Sequence, residues 1–190
     1  MMGLMIAGLL IWSLVHLTPS LAPPLKQKLI TQLGEKTYKL LFAVLIFTAL
    51  ALIVFGWRST LPSYLYQLPG FTRHIAMLLV LIAFILFGAS NYPTRIKQFI
   101  RHPQLTGVIV WAFAHLVLNG DSRSVLLFGS MGVWAILEIV FINRREGEWV
   151  KQPVPGWARE VRGLAISLAV FVVVVMLHPY IAGVSIMKQL

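Results

Sequence analysis

The sequence predicts an all-α fold: a polytopic membrane protein built as a bundle of six transmembrane helices. Hydrophobic residues make up 58% of the 190 residues and charged residues only 12%, whereas soluble domains are about 45–50% apolar and about 25% charged. Runs of about 20 apolar residues, long enough to cross about 30 Å of hydrocarbon, recur along the chain. The chain has no cysteine, which excludes disulfides, thiolate metal sites and cysteine nucleophiles. We expect one transmembrane domain over residues 1–190.

The first three predicted spans cover residues 2–18, 39–57 and 74–91. Each is followed by residues that end helices, namely Pro19, Pro23 and Pro24, then Pro62, Pro69 and Gly70, then Pro93. The first span has one alternative, a signal peptide, because SLA at 20–22 has the small-x-small pattern of a cleavage site. No positive charge precedes Lys26 and Pro23 would follow the cut, so we expect a retained helix.

The last three predicted spans cover residues 103–119, 124–142 and 164–187. Pro103 suits the first turn of its helix, where the missing N–H costs nothing. Gly120 and Asp121 separate the fourth span from the fifth, and the sixth follows a proline-rich segment with Pro153, Pro155 and Gly156.

Basic residues are distributed unevenly between the two ends of the predicted spans. A net charge of +10 would suggest nucleic acid in a soluble protein, but in a membrane protein Lys and Arg collect in cytoplasmic loops. Most of the 16 basic residues lie in the first, third and fifth loops; those on the other side are Arg58, Arg73, Arg123 and Lys188. We therefore expect no nucleic-acid partner, odd loops in the cytoplasm and both termini outside.

Few polar side chains interrupt the spans, and in hydrocarbon each is costly enough to mark a candidate functional site. They are His16, Asn91, His115, Asn119, Glu138 and His178, with His74 and His102 near span boundaries. Two of them share a local pattern. Trp12 precedes His16 by four residues, and Trp111 precedes His115 by four, so each pair lies on one helix face. Asn119 continues the stripe on the fourth span.

Imidazoles on two different helices favour a haem or metal site as one interpretation. A neutral imidazole can ligate a metal through one nitrogen while a hydrogen bond holds the other, and haem is retained well inside helical bundles. The other interpretation is that each histidine only bonds a neighbouring helix, at about 0.6 kcal/mol in measured membrane pairs. The sequence contains no HExxH, HxxxH, GxSxG or phosphate-loop motif, so zinc, serine-hydrolase and nucleotide chemistry are not indicated.

Glu138 lies in the fifth span, within WAILEIVFINRR. One interpretation is an ion pair with Arg144, Arg145 or Arg101. The other is a functional carboxylate, either a proton donor or a partner that orients His102. Both interpretations stay open at the level of sequence.

The segment RHPQLTGVIVWAFAHLVLNGD at 101–121, with the first-span histidine, LGEK at 33–36 and LEIVFINRR at 137–145, resembles the NnrU family of bacterial membrane proteins over nearly the whole chain. The resemblance implies a link to denitrification and nitric oxide metabolism. The family also includes 15-cis-zeta-carotene isomerases, which bind haem b through two axial histidines. Carried over, those ligands match His16 and His115, while His102 matches the histidine of RHP.

Two departures from the isomerase pattern bear on the expected activity. The isomerase has a cysteine three residues before the second ligand, and that position here is Ala112. A further isomerase histidine near the second span has no counterpart in residues 39–57. Carotene isomerisation is therefore not expected, although haem binding is compatible with both changes.

The depth of each histidine in the bilayer constrains how they can pair. At about 1.5 Å per residue, His16 and His115 are expected about 10 Å apart in depth within a slab of about 30 Å. By depth alone His16 pairs better with His102, and His115 with His178. The resemblance nevertheless favours His16 and His115 as the metal ligands, with His102 as the substitute ligand. The spacing of Trp12, Trp111 and Asn119 adds these residues to the expected haem site.

The sequence thus predicts an NnrU-type protein of the bacterial inner membrane, with both termini periplasmic and a tentative haem b between transmembrane helices. The expected partners are the lipid bilayer and a small apolar or nitrogen-oxide ligand. If the protein is an enzyme, we expect isomerase-like or redox activity that belongs to the cofactor. The alternative is a non-enzymatic membrane accessory factor or small-solute carrier whose histidines are structural.

Overall fold

The computed structural model describes residues 2–183, which form seven α-helices and one short 3-10 helix. The α-helices are α1 Met2–Leu21, α2 Pro23–Leu33, α3 Glu35–Ser59, α4 Thr72–Ser90, α5 Pro103–Leu118, α6 Ser122–Glu146 and α7 Trp157–Ala182, and the 3-10 helix is Arg95–Gln98. No β-strand occurs among these residues, so the all-α prediction is confirmed. Residues 184–187 of the sixth predicted span lie outside the described residues.

Five of the helices, α1, α3, α4, α6 and α7, are long and apolar enough to cross a membrane. The prediction of a helical membrane protein is supported to that extent. The fourth predicted span corresponds to α5, which has 16 residues and is about 24 Å long at about 1.5 Å per residue, somewhat less than about 30 Å of hydrocarbon. That α5 crosses the membrane, which would bring the number of spans to six, therefore stays a prediction.

Helix α2 was predicted as part of a loop, and that prediction is wrong. Pro23 and Pro24 occupy its first turn, where proline is well tolerated because the N–H has no partner within the helix. The two prolines thus start a helix as well as ending the preceding one. Helix α2 has no buried residue and ends at Gly34, whose φ of 80° is one that residues with a Cβ rarely adopt.

The helices pack side by side, each against a different neighbour. Helix α3 packs against α1, α1 against α6, α6 against α5, α5 against α4, and α4 against α7. Small residues allow the closest approaches. A Cβ on Gly56 of α3 would lie 2.4 Å from the Met5 backbone nitrogen of α1, and a Cβ on Gly107 of α5 would lie 2.7 Å from the Phe87 ring of α4.

The segment between α3 and α4 folds against the turn between α5 and α6. The Leu65 and Tyr66 amides donate to the Gly120 carbonyl at 2.7 and 3.1 Å, and the Ser122 amide donates to the Ser63 carbonyl at 2.8 Å. The Tyr66 hydroxyl donates to the carbonyl of Leu116. Burial, with the nearby charge of Asp121, raises the pKa of the Tyr66 phenol, so this donor stays protonated at physiological pH.

At the opposite end of the bundle, the segment between α4 and α5 bonds to the start of α7 and to the segment that follows α6. Glu160, at the start of α7, accepts from the Arg95 amide at 2.6 Å and from the Thr94 hydroxyl at 2.8 Å. Arg101 donates to the Gly147 carbonyl at 2.8 Å, beyond the end of α6. Even-numbered loops meet at one end and odd-numbered loops at the other, as helices that alternate in direction require.

Candidate intramembrane histidine sites

His16 lies in an aromatic cluster between α1, α3 and α6. Its ring centroid is 4.3 Å from that of Trp12, 5.2 Å from that of Trp134 and 5.5 Å from that of Phe42. Its Nδ1 lies 2.9 Å from the Trp12 carbonyl oxygen. Because a carbonyl can only accept, Nδ1 carries the proton, and Nε2 of the neutral ring holds the lone pair. The predicted pairing of Trp12 with His16 on one face is confirmed.

His115 repeats this arrangement on the interface between α5 and α6. Its Nδ1 lies 2.8 Å from the Trp111 carbonyl oxygen, which fixes the same tautomer. Its ring stacks on Phe128, with centroids 4.4 Å apart and planes at 26°. Trp111 contacts both rings, at 4.9 Å from each. Aromatic rings thus cover His115 from its own helix and from α6.

Each imidazole alone has the donor chemistry of a haem ligand. A backbone carbonyl holds Nδ1, which leaves Nε2 as the nitrogen that could bind a metal. The two imidazoles contact different residues of α6. His16 contacts Trp134 and His115 contacts Phe128, positions of α6 that lie about 9 Å apart along the axis at about 1.5 Å per residue. Two axial ligands of one metal need nitrogens about 4 Å apart, at about 2 Å per bond.

The two imidazoles therefore contact α6 at different levels, and shared ligation of one iron stays a prediction. Helix α6 packs against both α1 and α5, and its aromatic side chains occupy the space beside each imidazole. Haem binding stays a prediction, with the constraint that the two histidines occupy separate levels of the bundle.

The remaining predicted site residues lie elsewhere. The Nε2 atom of His102 is 2.9 Å from Oδ1 of Asn143, which orients the ring; Glu138, one candidate for that task, bonds another residue. Asn119 donates to the His115 carbonyl at 3.0 Å, at the C-terminus of α5 and away from the ring. His178 lies in α7, and its pairing with His115 stays a prediction.

A polar seam between α1 and α6, made of His16, Ser20, Trp134 and Glu138, was not predicted as a unit. The Ser20 hydroxyl donates to a Glu138 carboxylate oxygen at 2.8 Å. Ser20 lies four residues after His16 on α1, and Glu138 lies four residues after Trp134 on α6. Each polar residue therefore shares a helix face with the aromatic-cluster residue before it. The spacing of four residues from His16 to Ser20 could have indicated this seam in the sequence, but serine is too common in membrane helices for that spacing to be specific.

Two buried indole nitrogens line the same seam. Trp12 Nε1 and Trp134 Nε1 have no hydrogen-bond partner among the described residues. Trp134 is only 7% exposed, so its N–H is withheld from solvent. Unpaired buried donors are uncommon and costly, and here both flank the imidazole of His16.

Comparison with known families decides what kind of protein carries these features. The family model described as NnrU protein matches residues 4–186. The chain belongs to the NnrU family. The match covers nearly the whole chain, including both Trp-His pairs and the seam between α1 and α6. No curated protein and no solved structure matches this NnrU protein.

Proposed function

We propose that this NnrU protein is a six-span protein of the bacterial inner membrane that serves nitrogen-oxide metabolism as a non-enzymatic accessory factor. In this proposal His16 and His115 are structural residues that fix α1 and α5 against α6. The observation that carries the proposal is the packing of each imidazole on a different aromatic residue of α6, Trp134 for His16 and Phe128 for His115. The metabolic link comes from the NnrU resemblance.

The six-span topology and its orientation complete the proposal. Helix α5 lies between α4 and α6, and hydrogen bonds at its two ends reach loops at opposite ends of the bundle. A helix in that position crosses with its neighbours even though it is short, because tilt and local thinning absorb small mismatches. The excess of Lys and Arg in the odd loops supports a cytoplasmic location for them and periplasmic termini.

The structural role is tested by substitutions that keep shape and remove metal ligation. In a denitrifying bacterium that lacks its own copy, His115→Phe preserves ring stacking on Phe128, whereas His115→Ala removes it. We expect His115→Phe to restore nitric oxide consumption and His115→Ala to lower the amount of protein in the membrane. Normal amounts of His115→Phe protein without any restored consumption would contradict a purely structural histidine.

Haem b is the second candidate function, and one observation favours it. In both Trp-His pairs the backbone holds Nδ1–H, so Nε2 presents its lone pair. Given the separate levels of the two rings, haem would take one of them as a single protein ligand. When bound, haem would supply redox or isomerase-like chemistry toward a small apolar or nitrogen-oxide ligand. The residues of this chain would position it and exclude water.

The haem candidate is tested by adding haem to the purified protein and counting the haem retained per chain. Retention that falls in only one of His16→Ala and His115→Ala supports a single-histidine site at that residue. No retention in the wild type supports the accessory role alone.

A further inference from the structure

We propose that the cleft between α1, α2 and α3 is a binding site for the phosphate headgroup of an anionic membrane phospholipid. The cleft has a volume of about 270 Å³ and is lined by Pro19, Lys26, Tyr38, Lys39 and Phe42. Two of these residues are cations, one carries a phenolic hydroxyl, and two are apolar. That combination suits an anionic head attached to a hydrocarbon chain.

The position of the cleft favours a membrane lipid as its ligand. Pro19 lies in the last turn of α1 and Phe42 in the third turn of α3, so the cleft opens where two membrane helices leave the hydrocarbon. Helix α2 packs against both α1 and α3 and has no buried residue, as a helix in the headgroup layer would. The Phe42 ring continues the cleft toward the aromatic cluster, where it contacts His16 at 5.5 Å.

The charge of the surrounding segment favours an anionic ligand. Residues 23–39 carry Lys26, Lys28, Lys36 and Lys39 but only one acid, Glu35. Glu35 pairs with Lys39 at 2.6 Å, with both side chains more than 60% exposed. An exposed pair of this kind is weak, so Lys39 can exchange Glu35 for a phosphate. Basic residues beside a membrane helix attract anionic lipid by about 1 kcal/mol each.

The experiment uses full-length protein in nanodiscs that contain phosphatidylglycerol and phosphatidylcholine, followed by detergent extraction and native mass spectrometry. We expect wild-type protein to retain one phosphatidylglycerol, and K26Q/K39Q to retain it at least about tenfold less well. The matched control is K28Q/K36Q, which removes the same charge from lysines that do not line the cleft. This control should bind like the wild type.

Further variants and competitors distinguish a specific lipid site from nonspecific electrostatic attraction to the basic segment. E35Q removes the ion pair but keeps Lys39, so retention should be unchanged or stronger. Equal losses in K28Q/K36Q and K26Q/K39Q would overturn the proposal in favour of nonspecific attraction. Equal retention of phosphatidylcholine, or displacement of the lipid by millimolar inorganic phosphate, would overturn the assignment to an anionic phospholipid. All substituted side chains are exposed or partly exposed, so folding is preserved and each outcome is interpretable.

Discussion

Ser20 of α1 donates a hydrogen bond of 2.8 Å to a carboxylate oxygen of Glu138 of α6, a residue 118 positions away in the chain. The bond joins two helices that run in the same direction, one turn from the aromatic contact between His16 and Trp134. Glu138 makes no close ion pair among the described residues, although it lies near the charge of Arg145. The sequence left open an ion pair or a functional carboxylate, and in the structure the Glu138 carboxylate accepts from a serine hydroxyl.

This bond predicts energetic coupling between α1 and α6. In a double-mutant cycle of Ser20→Ala and Glu138→Leu, we expect a coupling free energy of about 0.5–1.7 kcal/mol, the range of measured interhelical pairs in membranes. The measurement is unfolding in mixed micelles. Thr48→Ala is the control, because its hydroxyl bonds only the Val44 carbonyl of its own helix. A coupling near zero would show that the two side chains do not meet.

The contact between α1 and α3 depends on a glycine. A Cβ at Gly56 would lie 2.4 Å from the Met5 backbone nitrogen, so Gly56→Ala forces the helices apart and should destabilise the protein by about 1–3 kcal/mol. Gly129→Ala is the control, since nothing lies within 4 Å of its added Cβ. That variant should be neutral or stabilised by up to about 1 kcal/mol, because alanine favours helix. Equal melting temperatures of the two variants would contradict the close α1–α3 contact.

The register of α5 against α6 is testable by a disulfide. A Cβ on Gly132 would lie 3.6 Å from the Ala112 Cβ, within the range of about 3.5–4.5 Å for disulfides. The natural chain has no cysteine, so oxidation of the Ala112→Cys/Gly132→Cys protein should yield one intramolecular crosslink. The Ala112→Cys/Gly129→Cys pair should not crosslink, because no atom lies within 4 Å of a Cβ at Gly129. Preferential crosslinking of the second pair would indicate a different register of α5 against α6, and therefore a different level for His115.

The orientation in the membrane is testable with single cysteines at opposite ends of the bundle. Ser63→Cys lies in the segment between α3 and α4, and Gln152→Cys lies between α6 and α7. An impermeant maleimide should label Ser63→Cys in spheroplasts and reach Gln152→Cys only after the membrane is permeabilised. The reverse labelling pattern would place the basic loops outside and refute periplasmic termini.

The sequence predicted the helices because each is a long apolar run, and it predicted the Trp-His pairs because residues four apart share a helix face. The depth difference of about 10 Å between His16 and His115 stays a prediction. The residues of α6 that the two rings contact are Trp134 and Phe128, which lie about 9 Å apart along the helix axis. Helix α2 was missed because Pro23 and Pro24 are equally typical of a break and of a first turn.

The rest of the site depends on interhelical register, which local sequence does not encode. Ser20 meets Glu138 only because α1 packs on α6 and their faces align, and the indole of Trp134 reaches His16 for the same reason. The same limit applies to the segment around Tyr66, whose partners at Leu116 and Gly120 follow from the packing of α4 against α5.

His16 and His115 contact separate positions of α6, and we propose that they do not share an iron. Absorption spectra of the purified protein supplied with haem test it most directly, in the wild type and in the single variants His16→Ala and His115→Ala. We expect no six-coordinate haem spectrum that depends on both residues: either no haem is held, or only one of the two variants changes the spectrum. A six-coordinate wild-type spectrum that each single substitution converts to a five-coordinate one would contradict it.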